Sequence, residues 1–145
     1  MIVWAAACVA PRQSSDLPNG LAFIPNRAAP ECAITRIVDG DTVSVHCGTH
    51  AGNVRLVGFD TPETFRPGCS EEKALGERAA NVLETELRNA TEIRVKSHGR
   101  DKYQRALASL WLDGRALADI MDSKGLAVTY DGGRRIDWCQ RLAAI

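Results

Sequence analysis

Neither sign of charge is in excess in this chain: 18 lysines and arginines meet 18 aspartates and glutamates over 145 residues. A formal net charge of zero excludes a bulk electrostatic pull on nucleic acid, so any grip on a polyanion must be local. Transmembrane length is missing too. The apolar opening Met1–Ala10 is far too short to cross a bilayer as a helix, and no Lys or Arg precedes it as in the charged start of a secretory leader. The five cysteines contain no C-x-x-C pair, and Cys32, Cys47, His46 and His50 follow no recognised zinc-ligand spacing, which argues against a structural zinc site. There is no internal repeat. The length suits one hydrophobic core and leaves little for a second domain.

What is present divides at about residue 31. The stretch from Pro11 to Pro30 is rich in Pro, Ser, Asn, Asp and Gly. Residues 1–31 therefore read as a leader or linker, a signal or lipoprotein remnant in which Ala6-Ala7 precedes Cys8, and residues 32–145 as the domain. Ile34 to Val38 alternate, Asp39-Gly40 offers the two positive-φ positions of a tight turn, and Val43 and Val45 carry the return strand. A third strand is expected at Val54–Phe59, stopped by Pro62. Ser70 suits a helix N-cap, followed by Glu71 and Glu72 at the positive end of the helix dipole and by Leu75, Ala79, Val82, Leu83 and Leu87 on one face. Strands follow at Glu92–Lys96 and Ala106–Leu112, the latter placing Trp111 among core residues. Asp113-Gly114 makes a turn, and a second helix turns Leu117, Ile120 and Met121 inward and stops at Gly125. A short third helix follows Asp137, with Trp138 closing the tail onto the rest. The expected fold class is α+β, mainly β: an OB-like five-stranded antiparallel barrel with two to three flanking helices.

Three short strings carry chemistry: Asp39-Gly40-Asp41-Thr42; Val54-Arg55-Leu56 leading to Asp60-Thr61-Pro62-Glu63-Thr64; and Asp101-Lys102-Tyr103-Gln104-Arg105. Carboxylates hold a hard divalent cation through oxygen, and guanidiniums match phosphate oxygens while resisting deprotonation. Each string alone is explained by a turn or a strand end. Their co-occurrence is better explained by one phosphodiesterase site. Between Arg88 and Arg105 the cations Arg88, Arg94, Lys96, Arg100, Lys102 and Arg105 outnumber Glu92 and Asp101, forming a candidate phosphate-facing stripe.

In order and spacing these strings closely resemble the staphylococcal nuclease (thermonuclease-like) family, over roughly Ala33 to Tyr130. The resemblance closes the barrel that periodicity leaves open. It implies a calcium-dependent endonuclease, a hydrolase acting on DNA, with RNA as a further candidate substrate, and leaving a 3'-phosphate. Asp41, Asp60 and a main-chain oxygen near Thr61 would hold Ca2+. Arg55 and Arg105 would stabilise the transition state, and Glu63 would act as base or water-orienting group. Lys102, Tyr103 and Tyr130 are the substrate-contact candidates, although the tyrosine pattern after the second helix departs from the family's. No stable protein partner is implied and a monomer is expected. The alternative is a catalytically silent OB-like module binding nucleic acid or protein, against which Glu63 and both arginines argue.

The cysteines bear on compartment. With Asp39-Gly40 as the turn, counting outward sets Cys32 opposite Cys47, at a hydrogen-bonded position where a small bulge would help a disulfide to close. Cys69, in a loop, and Cys139, in the tail, are the second candidate pair. Disulfides would place the protein in the periplasm or outside the cell, with Cys8 as a lipid attachment point; five reduced thiols would place it in the cytosol.

Overall fold

The computed structural model describes residues 24–25, 32–47 and 50–144. The chain runs β1 (Ile24–Pro25), β2 (Cys32–Asp39), β3 (Thr42–Cys47), β4 (His50–Leu56), β5 (Gly58–Asp60), α1 (Ser70–Asn89), β6 (Ile93–Arg100), β7 (Ala106–Leu112), β8 (Arg115–Ala116), α2 (Leu117–Ser123), β9 (Val128–Tyr130) and α3 (Trp138–Ala143). Apart from Ile24 and Pro25, the leader expected over residues 1–31, with Cys8, lies outside the described residues. The main sheet has the order β1-β2-β3-β4-β7-β6, with β8 on β7, and β5 pairs separately with β9. This is an α+β, mainly β fold of OB type with three helices. One ladder departs from the antiparallel expectation. β4 and β7 run parallel, with Arg55 opposite Leu107, because the long stretch carrying α1 and β6 separates them and provides the crossover that a parallel pair requires.

The core is built by the expected helical face. Ala79, Leu83 and Leu87 of α1 are buried with Val43, Leu56, Phe59, Ile93, Leu110 and Leu112 of the strands and with Leu117, Ile120 and Met121 of α2. Trp111 is only half-buried, on the other face of β7 from Leu110 and Leu112. After α2, Leu126 N–H donates to Met121 O and Gly125 N–H to Asp122 O. With Gly125 at φ +72° these two bonds form the left-handed closure that glycine permits.

Three local expectations are corrected. The turn residues between β2 and β3 are Gly40 and Asp41, since Asp39 pairs with Thr42, and neither Asp39 nor Gly40 has positive φ. Gly40 is required by space instead: a Cβ there would lie 2.8 Å from Ala79 Cβ and 2.9 Å from Thr61 Cβ. Two register shifts, between Ile34 and Arg36 and between Ile37 and Asp39, then bring the Cα of Cys32 opposite that of Cys47. The counted register is reached through irregularities the counting did not contain; both side chains lie outside the described residues. The expected third strand is broken at Val57, where Gly58 at φ +99° turns the chain out of the main sheet into its pairing with β9. Ser70 is the first helical residue, and the N-cap is Cys69, which makes no side-chain cap bond. Cys69 forms a disulfide with Cys139 of α3, across a Cα separation of 6.0 Å.

α1 approaches the chain after β5 closely at Gly76, where a Cβ would meet Pro62 O at 2.7 Å and Thr64 Cγ2 at 2.9 Å. Alanine in a helix interior normally gains about 1 kcal/mol over glycine, but here it drives into main chain. Gly76→Ala is therefore expected to lower stability by about 1–3 kcal/mol, measured by denaturant unfolding; a stabilised variant would contradict the contact.

Candidate active site

The hairpin tip, the end of β4 and the end of β5 converge. Because Gly40 has no side chain, the tip lies against Thr61, and Asp41 Oδ2 accepts from Thr61 N–H at 3.3 Å. Leu56 N–H donates to Asp41 O at 2.7 Å, locking the tip to β4 one residue after Arg55. β9 fixes β5 through Asp60 opposite Val128, leaving Asp60 fully buried. Arg55 Nη2 then lies 3.2 Å from Asp41 Oδ2 and 3.4 Å from Asp60 Oδ1.

Two buried carboxylates bridged by one guanidinium are costly unless further donors arrive. They come from the C-terminal segment. Arg135 places Nε and Nη2 each at 2.7 Å from Asp60 Oδ1, Nη1 at 2.7 Å from Glu63 Oε1, and Nη2 at 3.3 Å from Thr61 O. Trp138, buried on α3, donates its indole N–H to Asp60 Oδ2 at 3.1 Å. Among the described residues no buried side-chain polar atom lacks a partner. The Arg135 guanidinium is held above its ordinary pKa: its hydrogen bonds and ion pairs with Glu63 and Asp60 outweigh the desolvation that opposes its charge. Burial pushes the Asp41 carboxyl up to about 7, against the pull of Arg55 and with Asp39 and Asp60 adding repulsion.

Glu63 is placed from behind by α1. Glu72, buried on the first turn of that helix, accepts from Glu63 N–H at 3.2 Å and from Gly68 N–H at 2.7 Å. Its carboxylate anchors the connecting loop rather than merely complementing the helix dipole. The disulfide between Cys69 and Cys139 ties the same region to α3.

Arg105 is held apart from this cluster in the described contacts. Asp101 accepts from Arg105 Nε at 2.7 Å, from Arg105 N–H at 2.9 Å and from Tyr103 N–H at 2.8 Å. Desolvation is the largest single influence on the Asp101 carboxyl and would raise it, but these bonds and the charge of Arg105 together outweigh it and hold the group below its usual value. Ala106 pairs with Val54, so the main chain of Arg105 adjoins the strand that carries Arg55. Tyr103 is 69% exposed, with Lys102 Nζ 5.1 Å and Arg105 Cζ 5.7 Å from its ring centroid. Tyr130 sits on β9 opposite Gly58, its hydroxyl donating to Gly133 O at 2.7 Å. Of the basic stripe, Arg88 pairs with Glu84, Arg94 with Glu92, and Arg100 donates to Gln104 O. Much of its charge is thus engaged within the chain.

The geometry is an oxygen-rich acid pair flanked by guanidiniums, at the end of an OB-type sheet. A model of the family described as staphylococcal nuclease homologue matches residues 53–140. The chain belongs to that family. Thermonuclease from Staphylococcus hyicus is 30% identical over 117 residues, covering 76% of this chain and 69% of that protein. Thermonuclease from Staphylococcus intermedius is 33% identical over 95 residues, 65% of this chain and 56% of that protein. Endonuclease YncB from Bacillus subtilis is 35% identical over 97 residues, 65% of this chain and 45% of that protein. The chain thus spans about half to two thirds of these relatives' lengths. Phosphodiester hydrolysis on nucleic acid is the enzyme class that goes with this family, and its members work with a metal ion.

As a staphylococcal nuclease homologue, the chain has donors that suit such an ion. Asp41, Asp60 and Thr61 O contribute oxygen alone, the preference of hard divalent cations. Two cationic nitrogens already lie between oxygen pairs: Arg55 Nη2 between Asp41 and Asp60, and Arg135 Nη2 between Asp60 Oδ1 and Thr61 O. Sequence reasoning missed Arg135 and the acceptor of Trp138. Arg135 stands 75 residues from Asp60 in a Gly-Gly-Arg-Arg stretch, where nothing local reports its partner.

The pH dependence of stability follows from Asp41. A group bound to its proton more tightly in the folded state adds stability that is fully present below its ordinary value of 3.8 and is lost as pH rises through about 7. In chelator, thermal unfolding should therefore occur at a lower temperature at pH 8 than at pH 5, and Asp41→Asn should flatten that difference. An unchanged slope in Asp41→Asn would remove this carboxyl as its source.

Proposed function

We propose that the chain is a calcium-dependent nuclease cleaving DNA, with RNA as a further substrate, and that the site is formed by Asp41, Arg55, Asp60, Thr61, Glu63 and Arg105. The observation that carries this reading is the convergence of the buried Asp41 and Asp60 with Arg55 between them, Thr61 beside them and Glu63 at their rim. Asp41, Asp60 and Thr61 O would hold the calcium ion, which when bound neutralises a phosphate oxygen and favours attack by water.

The remaining work falls to side chains. Arg55, whose side chain is mostly buried, presents a planar fork in a site poor in water, where charge developing on the equatorial phosphate oxygens is stabilised most strongly. Arg105, steadied by Asp101, directly precedes Ala106 of β7, which pairs with Val54 next to Arg55, and supplies the second guanidinium. Glu63 accepts a proton from the attacking water, or orients it. Displacement at the 5' side leaves a 3'-phosphate, as family analogy implies. Exposed Tyr103 and Lys102 lie on the loop bearing Arg105 and suit sugar and phosphate contacts. Tyr130, engaged with Gly133, is the weaker candidate for stacking a base.

The Cys69–Cys139 disulfide supports an oxidising compartment, periplasmic or extracellular, since such bonds seldom persist among cytosolic thiols. No helix among the described residues is long and apolar enough to cross a membrane. The reading extends to a monomer working without a stable protein partner.

Purified protein should fragment single- and double-stranded DNA in calcium and leave both intact in chelator, with RNA as a parallel substrate. Glu63→Gln should lower kcat by about a hundredfold or more while leaving substrate affinity and unfolding temperature near wild type. Arg55→Lys should also be severe, because lysine keeps a charge but loses the fork. Wild-type turnover in both variants would defeat the assignment.

A further inference from the structure

Arg135 has a position that the nuclease reading does not use. Its Nη2 is shared by Asp60 Oδ1 and Thr61 O, and its Nη1 engages Glu63. Those are two of the three oxygens assigned to the cation and the carboxylate assigned to the attacking water. A guanidinium and a divalent cation cannot both occupy the space in front of Asp60 Oδ1 and Thr61 O, because each requires direct approach to the same lone pairs. Glu63 Oε1, while it accepts from Arg135, does not face a water in that direction.

We propose that Arg135 is an internal competitor for the divalent cation, with its guanidinium occupying the Asp60–Thr61 position in the metal-free protein and leaving both that position and Glu63 when the cation binds. This inference rests on the nuclease reading of the same site. Three features make the exchange mechanically simple. The side chain is 37% exposed, so it has solvent to enter. It follows Gly132 and Gly133, at neither of which a Cβ would meet another atom within 4 Å, and the former has φ +102°. The main chain just beyond it stays anchored by buried Trp138 on Asp60 Oδ2 and by the Cys139 disulfide, so only the arginine need move. The competitor also explains how two buried carboxylates persist without a metal: Arg135 supplies the second positive group that Arg55 alone does not. Arg135 is thereby a positioning residue, acting through Asp60 and Glu63 and setting the cation concentration at which the site assembles.

The test uses the full chain with calcium chloride as probe, titrated calorimetrically into wild type, Arg135→Gln and Arg135→Lys, with thermal unfolding of each in chelator and in excess calcium. Removing a competing charged donor should tighten calcium binding by about tenfold or more in Arg135→Gln. Arg135→Lys, which keeps the charge but loses the fork, should fall between. The unfolding temperature of Arg135→Gln should drop below wild type in chelator, where Asp60 loses a counter-ion, and recover to wild type or above in calcium. A purely structural arginine would lower it in both. Calcium affinity that is unchanged or weaker in Arg135→Gln, in a wild type that binds calcium and cuts DNA, overturns the competitor and leaves the nuclease standing. Absence of calcium binding in all three proteins overturns both.

Discussion

Asp60 is the carboxylate through which the separate parts of this molecule are joined. Fully buried at the end of β5, it is approached by Arg55 from the main sheet, by Arg135 from the C-terminal segment and by the Trp138 indole from α3. A buried carboxylate without donors would be untenable, and one with donors on both oxygens is fixed in orientation. The parts of the chain that supply those donors are therefore held in register with one another. Sheet, tail and acid site share one constraint.

The surrounding architecture exists to bring donors to that point. Gly40 lets the hairpin tip reach Thr61, placing Asp41 beside it; Gly58 turns β5 out of the main sheet; Gly76 lets α1 approach the Pro62–Thr64 main chain. Glu72 then holds the main chain of Glu63 from the helix side. The disulfide between Cys69 and Cys139 closes a loop of about 70 residues and secures the short α3, which as a helix of six residues has little stability of its own. The positions proposed as catalytic are drawn from turns and strand ends, with the rigid sheet and helix behind them.

Much of this was legible from sequence, for local reasons. The helical face Ala79-Leu83-Leu87 and the strands of β6 and β7 are set by periodicity, and the three acid and arginine strings are short enough to be read as units. What escaped depends on tertiary contact. The turn was misplaced by one residue because Gly40 is present for close packing rather than for positive φ, and two bulges restored the counted Cys32–Cys47 register. The break at Val57 was hidden because Val54, Leu56, Val57 and Phe59 all suit a strand, and the isolated Gly58 does not by itself report that the chain leaves one sheet for another. The parallel β4–β7 ladder follows from sheet order, which no local pattern encodes. Arg135 was invisible for the same reason: its partners lie more than 70 residues away.

The central claim is that Asp60 couples the acid site to the tail, and the Trp138 indole proton reports on that coupling most directly. An asparagine at this position offers one acceptor oxygen and sets its amide N–H groups against donors on the other side, so it cannot satisfy Trp138 and the guanidiniums together. Hydrogen exchange of the Trp138 Nε1–H, followed by NMR in chelator, should be slow in wild type and faster by at least about tenfold in Asp60→Asn, even with the Cys69–Cys139 bridge intact. Equal protection in the two proteins would contradict the account, because α3 would then be held in place without the carboxylate.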